Sequence, residues 1–434
     1  MNVLLSAYAC MPDWGSEPGN GWNWAKHLSE RGMNVTVLTD DMCRERIEAY
    51  QRDHRETNVA FGYVTVPTSL FKHGTGVHYA LWQCLAVRVA KLLHRKRCFD
   101  VIHHVTYNSV HVPTQLWRLG VPTVFGPVGG GQIAPPSMLG YFGSTRGSEK
   151  RRTLLTKALR YSPLHRRWLR KISTVFASNT DTLALVKKMG RSDVALWFDV
   201  GIPSEYLAPA PRAFPSEFSP VRLIWVARML PRKALPLALD ALAQVRHAST
   251  LTIIGNGLPE DTVRRMIAER GLGDRVHWSG RRLTLAEVQA AYLEHDVLLF
   301  TSLRDTSGLQ LLEAMAAGLP VITLDLHGAG DLVSADAGIK VPVSTPDEVV
   351  CKLAAAVDRF ASMSAEQKNG MSRVCWEFAR ANTWTCRAAK AEVLYAELVG
   401  PKADGPPLTR KPQHDLHRSL HEHVIDRGTR QVWP

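Results

Sequence analysis

The chain has 434 residues and a formal net charge of +13 at pH 7; 45% of its residues are hydrophobic and 21% are charged. This composition is typical of a globular protein, and the length exceeds that of a single hydrophobic core, so we expect two domains. Seven cysteines without a Cys-x-x-Cys pair argue against a zinc site or a disulfide framework, and no apolar run approaches the roughly 18–20 residues that span a bilayer.

Apolar strands and helices alternate through the first half of the sequence. Helices are predicted at residues 22–31, Tyr79–His94 and Thr180–Met189. Such alternation predicts a parallel sheet covered on both faces, whose ligands gather beyond the carboxyl ends of the strands. The predicted strands are Val3–Ala7, Val35–Thr39, Val59–Val66, Asp100–His104, Pro122–Phe125 and Thr174–Ala177.

A second set of strands and helices follows the segment Val200–Pro220, whose five prolines show no periodicity and predict an interdomain linker. Two successive α/β sets predict two Rossmann-like domains that face each other across a cleft. The predicted strands are Arg222–Val226, Leu251–Ile254, Val276–Trp278 and Val297–Phe300, and the predicted helices are Ala234–Ala243, Asp261–Arg270 and Leu285–Leu293.

The stretch Leu299–Leu324, LFTSLRDTSGLQLLEAMAAGLPVITL, is predicted to form a strand, a loop, a short helix and another buried strand. Such a unit points loop amides and a helix N-terminus at one place, which suits an anion. Asp305 and Glu313 bracket the loop and helix. An ordinary βαβ unit with a solvated loop acid is the alternative interpretation.

The C-terminal region is predicted to return to the first domain, through helix Glu392–Leu398 and Trp384 before it. The composition of the tail is polar and rich in proline, histidine and arginine, which predicts disorder. We therefore expect a first domain at residues 1–205, a second at 206–382, a crossover helix at 383–400 and a disordered tail at 401–434.

Much of the positive charge lies in residues 146–171, where ten Lys/Arg residues accompany one acid, Glu149. Leucines and Trp168 interrupt these charges, and Pro163 breaks the segment. The pattern is typical of a basic amphipathic helix that contacts an anionic membrane. A solvated basic face is the alternative. No nucleic-acid-binding module is recognisable, so nucleic acid is not an expected partner. The scattered cysteines and an N-terminus without a basic leader predict a cytoplasmic protein, at most peripheral on the inner face of the membrane.

Several motifs occur in both halves of the chain. The first half contains GSEPGNGW after the first strand, then DVIHH and GPVGGG, and the second contains VARMLPRKALPLALDAL, IIGNG and VHWSG before the Asp305–Glu313 loop and helix. In this order they resemble the retaining glycosyltransferases of family 4, over roughly residues 1–398. The resemblance implies the two-domain GT-B fold.

The resemblance also implies a donor site in the second domain. Asp305 and Glu313 match the two glutamates of the family's E-x7-E motif; Glu313 would accept hydrogen bonds from ribose, and Asp305 would contact the donor sugar. Arg228 and Lys233 match a basic pair that would hold the diphosphate. The remaining matched donor-side residues are Gly255, Gly257, Gly280, Ser307, Gly308 and Leu309, with Gly15 and Ser16 from the first domain.

On the acceptor side, the resemblance implicates Glu17, one histidine of DVIHH and the glycines of GPVGGG. Glu17 would orient or deprotonate the acceptor, or would cap the following helix. Gly129 and Gly130, with Gly131, would present free amides or simply form a tight turn. His103 and His104 face opposite sides of one strand, so at most one points into the cleft; we prefer His104 as the catalytic histidine.

The implied activity is the retaining, metal-independent transfer of a hexose-type sugar from a nucleotide diphosphate sugar to a saccharide or lipid-linked saccharide, in polysaccharide biosynthesis and without a further cofactor. Aspartate at position 305 departs from the family's glutamate. Its side chain is one methylene shorter, which leaves three alternatives. The backbone lies closer to the donor sugar, the sugar is held differently, or Asp305 is only a loop acid. The alternative functions are a nucleotide-sugar epimerase or sugar phosphorylase of the same fold, and a non-catalytic module that binds membrane or polyanion.

Overall fold

The computed structural model describes residues 1–54, 59–67, 74–216 and 220–400. Seven strands of the first half form one sheet, in which every pairing is parallel: β1 (Asn2–Ser6), β2 (Asn34–Asp40), β3 (Val59–Val64), β4 (Val101–His104), β5 (Thr123–Val128), β6 (Thr174–Ala177) and β7 (Val194–Leu196). Their order across the sheet is β3-β2-β1-β4-β5-β6-β7. All four residues of β4 are buried, because helices cover both faces of this sheet.

A second parallel sheet lies in the second half: β8 (Val221–Val226), β9 (Ser249–Ile254), β10 (Val276–Trp278), β11 (Val297–Phe300), β12 (Val321–Leu324) and β13 (Gly338–Val341). The order is β10-β9-β8-β11-β12-β13. In both sheets the first three strands are added toward one edge, and the following strands are added on the other side of the first strand. This reversal of strand order is the Rossmann-like arrangement, in which ligands bind at the carboxyl ends of the strands. The predicted two-domain α/β fold is confirmed.

Helices connect the strands of both sheets. In the first half they are α1 (Ser16–Glu30), α2 (Arg44–Asp53), α3 (Gly76–Lys96), α4 (Arg146–Ala158), α5 (Pro163–Leu169) and α6 (Thr180–Lys188). In the second half they are α7 (Leu235–Gln244), α8 (Glu260–Ala268), α9 (Leu285–Glu294), α10 (Leu309–Ala316), α11 (His327–Leu332), α12 (Pro346–Ser362), α13 (Ala365–Ala381) and α14 (Trp384–Val399).

The last helix, α14, packs against the first domain, as predicted. The ring of Trp384 lies 5.5 Å from that of Trp24 on α1, and Tyr395 is buried in the same hydrophobic core. The helix begins at Trp384, earlier than the sequence pattern suggested, because the Thr383 hydroxyl caps its first turn. The exact domain boundaries at 205 and 382 stay predictions, and the predicted tail lies outside the described residues.

The basic segment forms α4 and α5, and the helix ends before Pro163 as predicted. Its inner face contains the buried Glu149 and Thr156. Its outer face carries four apolar side chains that are 50–72% exposed: Leu154, Leu155, Tyr161 and Leu164. Throughout the described ranges, no helix has both the length and the apolar character needed to cross a membrane.

Candidate active site between the two domains

The carboxyl ends of the two sheets face each other. Thr306, in the loop after β11, accepts a hydrogen bond on its carbonyl from Asn179 Nδ2 at 2.9 Å and on its hydroxyl from Gln132 Nε2 at 3.1 Å. The Thr180 amide, from the first domain, donates to Asp331 of the second at 2.7 Å. The loop around Asp305 therefore lies against the strand ends of the first domain.

Lys233 and Asp305 form an ion pair beneath this interface. Lys233 ends a short helical turn after β8 and is 6% exposed, and Asp305 also receives Arg232 Nη1 at 3.3 Å. Burial by itself raises the pKa of Asp305, but Lys233 and Arg232 outweigh it, so the net shift of this pKa is downward. Burial lowers the pKa of Lys233, against the opposing effect of Asp305. The aspartate is therefore held in its ionised form.

Arg228 is exposed, and within the described residues its side chain makes no hydrogen bond or ion pair. Its positive charge has a lowering effect on the pKa of Lys233 and, across the cleft, on the pKa of Tyr107. The neighbouring loop approaches closely: a Cβ on Gly255, where φ is 151°, would lie 1.8 Å from the carbonyl oxygen of Ala227. Gly257 has a φ of 129°. Glycine at position 255 is thus required for the loop to lie beside Arg228.

The Ser307–Leu309 turn leads into α10, which begins at Leu309. Gly308 has a φ of 86°, and a Cβ there would meet Phe300 Cζ at 2.9 Å. Ser307 is fully buried, and its hydroxyl donates to the Ser178 carbonyl at 3.4 Å. The turn is therefore fixed by close contacts with β11 and with the first domain.

Glu313 lies on α10, one turn into the helix. The Tyr292 hydroxyl donates to its Oε2 at 3.3 Å. Burial raises the pKa of Glu313 to about 7, and the Tyr292 hydrogen bond opposes this shift. Glu313 therefore changes its charge near neutral pH.

The two histidines of β4 do not point into the cleft, contrary to the expectation for His104. His104 accepts or donates at both ring nitrogens, to Tyr79 at 2.8 Å and to Ser6 at 2.7 Å. His103 contacts Tyr395 at 2.6 Å and the Gly126 carbonyl at 2.7 Å. They do face opposite sides of the strand, but a helical layer covers each side, and burial lowers the pKa of His103 to about 4 and of His104 to about 3. Both rings therefore pack in the interior.

The glycine loop after β5 forms a tight turn, which decides between the two earlier interpretations. The amides of Gly129, Gly130 and Gly131 donate to Asn108, Gln132 and Thr182. A Cβ on Gly129 would lie 2.7 Å from Thr306 Cγ2 of the second domain. These glycines therefore permit close approach of the domains, and their amides are used within the protein.

Glu17 reaches across to the loop after β4. Its Oε2 accepts a hydrogen bond from the Tyr107 amide at 2.9 Å, and burial, with a contribution from Asp199, raises its pKa to about 7. Gly15 and Ser16 precede it at the start of α1, and a Cβ on Gly15 would lie 3.7 Å from Leu285 Cδ2 in the second domain. The segment between β1 and α1 thus borders the cleft.

Five further residues near this site were not predicted as part of it: Tyr107, Glu149, Arg152, Arg232 and Arg304. Arg304 Nε lies 2.7 Å from Glu149 Oε1. Tyr107 has a φ of 54°, is 36% exposed and packs edge-on against Tyr8 at 4.6 Å. Arg232 and Arg304 are next to Lys233 and Asp305 in the sequence, and this adjacency could have indicated that they lie near the site. The others are brought in only by the fold.

Solved structures identify the class of fold. Sucrose-phosphate synthase from Thermosynechococcus elongatus superimposes with a TM-score of 0.63 at 17% identity, covering 92% of this chain and 98% of that one. Anabaena HepE in complex with UDP gives a TM-score of 0.57 at 16% identity, covering 90% and 99%. The architecture is therefore that of the two-domain GT-B glycosyltransferases. Among the described residues, no group of three His, Cys, Asp or Glu side chains comes together as a metal-binding cluster.

Two family profiles match the chain, one in each domain. The family described as "Glycosyl transferase 4-like domain" matches residues 22–196, and "Glycosyl transferases group 1" matches residues 220–360. The chain belongs to the GT-B glycosyltransferases of the family 4 type.

The curated relatives that the chain matches are named as glycosyltransferases. WcaL of Escherichia coli K12, whose name assigns it to colanic acid biosynthesis, is 29% identical over 207 residues, or 45% of this chain and 50% of that protein. The GDP-mannose-dependent alpha-(1-6)-phosphatidylinositol monomannoside mannosyltransferase of Mycobacterium tuberculosis is 28% identical over 232 residues, 47% and 59%. Lipopolysaccharide glucosyltransferase WaaG of E. coli is 31% identical over 129 residues, 29% and 33%. The chain thus spans about half the length, or less, of most curated relatives it matches.

Proposed function

We propose that the chain is a retaining glycosyltransferase that moves a hexose-type sugar from a nucleotide diphosphate sugar to a saccharide or lipid-linked saccharide during polysaccharide biosynthesis. The observation that carries this proposal is the arrangement of Arg228 and the Lys233–Asp305 pair on the loops after β8 and β11, which face the first domain, with Glu313 on the adjoining helix α10. The GT-B family membership supports the class of reaction.

The donor diphosphate would contact Arg228 and Lys233. Breaking the bond between the anomeric carbon and the phosphate oxygen leaves growing negative charge on the diphosphate, which these two cations stabilise without a proton transfer. The turn at Ser307 and Gly308 precedes α10, whose N-terminal amides would add fixed dipoles. We therefore propose that the reaction proceeds without a metal ion.

The two acidic residues would have different roles. Ionised Glu313 would accept hydrogen bonds from the ribose hydroxyls. Asp305, ionised by its pairing with Lys233 and Arg232, would bind the sugar hydroxyls and stabilise positive charge at the anomeric carbon. The acceptor oxygen would form its new bond on the same face from which the diphosphate leaves, and the departing phosphate oxygen would take the acceptor proton, which retains the configuration.

A peripheral membrane position, on the cytoplasmic face, is part of the same proposal. The outer face of α4, the following turn and α5 expose Leu154, Leu155, Tyr161 and Leu164. Exposed Lys157 and Arg160 flank these side chains. Apolar side chains among cations are typical of helices that bind anionic lipid surfaces.

The test supplies UDP-, GDP- or ADP-linked sugars, with and without a saccharide acceptor, and follows the products by NMR. Transfer that depends on the acceptor and preserves the anomeric configuration supports the proposal. A sugar converted to its epimer with donor alone, or a product that requires inorganic phosphate, would instead identify an epimerase or a phosphorylase. Co-sedimentation with anionic, but not neutral, vesicles tests the membrane contact.

A further inference from the structure

A second group of cations lies beside Asp305, at the boundary between the domains. Arg304 Nε is 2.7 Å and Arg152 Nη1 is 4.0 Å from Glu149 Oε1, although Arg152 projects from α4 and Arg304 from the loop after β11. Arg232 Nη1 donates to the Arg304 carbonyl oxygen at 3.3 Å. Three guanidinium groups therefore converge next to the proposed reacting centre.

The cations of this group outnumber the carboxylates. Asp305 is already paired with Lys233 and Arg232, which leaves Glu149 alone to balance Arg152 and Arg304. Burial, followed by the neighbouring Arg304 charge, lowers the pKa of Arg152 to about 10. Partly buried charges are stabilised by counter-charges, so this region favours an anionic ligand.

The three guanidinium groups are partly exposed. The side chains of Arg152, Arg232 and Arg304 are 26%, 30% and 19% exposed. Arg152 Nη1 donates to the Gln132 carbonyl at 2.8 Å, and Gln132 follows the glycine loop of the first domain. Arg152 therefore connects this group to the acceptor-side domain, whereas Arg232 and Arg304 adjoin Lys233 and Asp305 on the loops of the second domain.

We propose that Arg152 and Arg304 bind a phosphate group of the acceptor, so that the acceptor is a phosphorylated saccharide. The inference rests on the proposed glycosyl transfer and names its acceptor class. A guanidinium fork matches phosphate oxygens and keeps its charge at neutral pH. A sugar phosphate and a lipid-linked diphosphate share this chemistry. The competing account is a structural latch, in which Glu149 only bridges the two arginines and closes the domains.

The experiment titrates inorganic phosphate into the full chain, saturated with the nucleoside diphosphate that binds it best, and measures affinity by calorimetry. Arg152→Met and Arg304→Met are expected to weaken phosphate binding at least about tenfold, as loss of a charge-assisted hydrogen bond predicts. Arg152→Lys should retain part of the affinity. The control is Arg118→Met, an exposed arginine in the turn that leads into the amino end of β5, whose guanidinium lies 5.5 Å from the centre of the Trp117 ring.

The affinity for the nucleoside diphosphate separates the two accounts. It should change less than about threefold in both arginine variants, a difference of less than about 0.7 kcal/mol. Loss of nucleotide affinity instead, or phosphate binding equal to that of wild type, would overturn the inference. If no nucleoside diphosphate binds, the proposed function fails, while titration of the free chain still tests these arginines. Displacement of phosphate by glucose 6-phosphate or by geranyl diphosphate would identify which source fits, and displacement by neither would contradict a phosphorylated acceptor.

Discussion

Asp305 and Glu313 lie on one loop and helix, yet their surroundings shift their pKa values in opposite directions. Lys233 and Arg232 lower the pKa of Asp305 despite its burial, whereas burial raises the pKa of Glu313 to about 7 and only the Tyr292 hydroxyl opposes it. The first carboxylate is therefore ionised throughout the neutral range, and the second titrates within it. This difference makes the two acids separable by experiment.

Donor binding should strengthen as the pH rises through about 7, because Glu313 then becomes the ionised acceptor that ribose hydroxyls require. The folded-state pKa is raised above 4.5, so the stability that this group contributes is present below that pH and is lost as the pH rises through about 7. Nucleoside diphosphate affinity and the midpoint of thermal unfolding, measured over this range, check both trends.

The matched variant is Glu313→Gln, which should bind the nucleotide weakly at every pH and lose this part of the pH dependence. Glu17 also has a pKa raised to about 7, and Asp199 one raised to about 6, both mainly by burial. The comparison must therefore be between variant and wild type. An unchanged pH profile in Glu313→Gln would contradict the assigned role.

Removing Lys233 should harm both activity and stability. Lys233→Ala leaves Asp305 buried with Arg232 alone, and breaking a buried pair in this way typically costs about 3–5 kcal/mol. We expect turnover to fall about 10²-fold because the diphosphate loses the positive charge of Lys233 as a contact. Denaturant unfolding and turnover are the measurements. The double variant with Asp305→Leu should recover stability without activity, and normal turnover in Lys233→Ala would reject the role of this lysine.

Much of the fold could be predicted because its strands are apolar runs with helices between them, as in Val297–Phe300 and Val35–Thr39. The interior could not. Lys233 and Asp305 meet only through the pairing of β8 with β11, and Arg304 of the second domain meets Glu149 of the first only because the two domains face each other. The alternation of His103 and His104 was predicted correctly, but not the helices that cover both sides. Local patterns therefore indicate the strands and motifs but not their long-range partners.

Gly255→Ala should disrupt the donor loop. The added Cβ would lie 1.8 Å from the Ala227 carbonyl oxygen, so the backbone beside Arg228 must move. We expect a loss of about 2 kcal/mol or more in the free energy of unfolding, together with weaker nucleotide binding. Gly273→Ala is the control, since a Cβ there meets nothing within 4 Å. Equal behaviour of the two variants would contradict the close approach.

Tyr107 is expected to bind the acceptor saccharide through its ring. Its backbone has a φ of 54°, held by the hydrogen bond from its amide to Glu17, and strain of this kind costs about 1–3 kcal/mol. Tyr107→Gly removes the strain and the ring together. The acceptor KM should rise about tenfold while thermal stability is maintained or raised, and Tyr107→Phe should behave as wild type. Lower stability with an unchanged KM would show that the ring is only structural.

The most direct test of the donor site is calorimetric titration of UDP, GDP and ADP into wild type, Arg228→Met and Arg265→Met. Arg228 is exposed and makes no ion pair among the described residues, so its loss should leave the fold intact; Arg265, exposed on α8, is the control. We predict that at least one nucleotide binds wild type and Arg265→Met equally, and Arg228→Met at least about tenfold more weakly, as loss of a charged phosphate contact implies. No binding to wild type, or equal binding to all three, would contradict a nucleotide-sugar site on these loops.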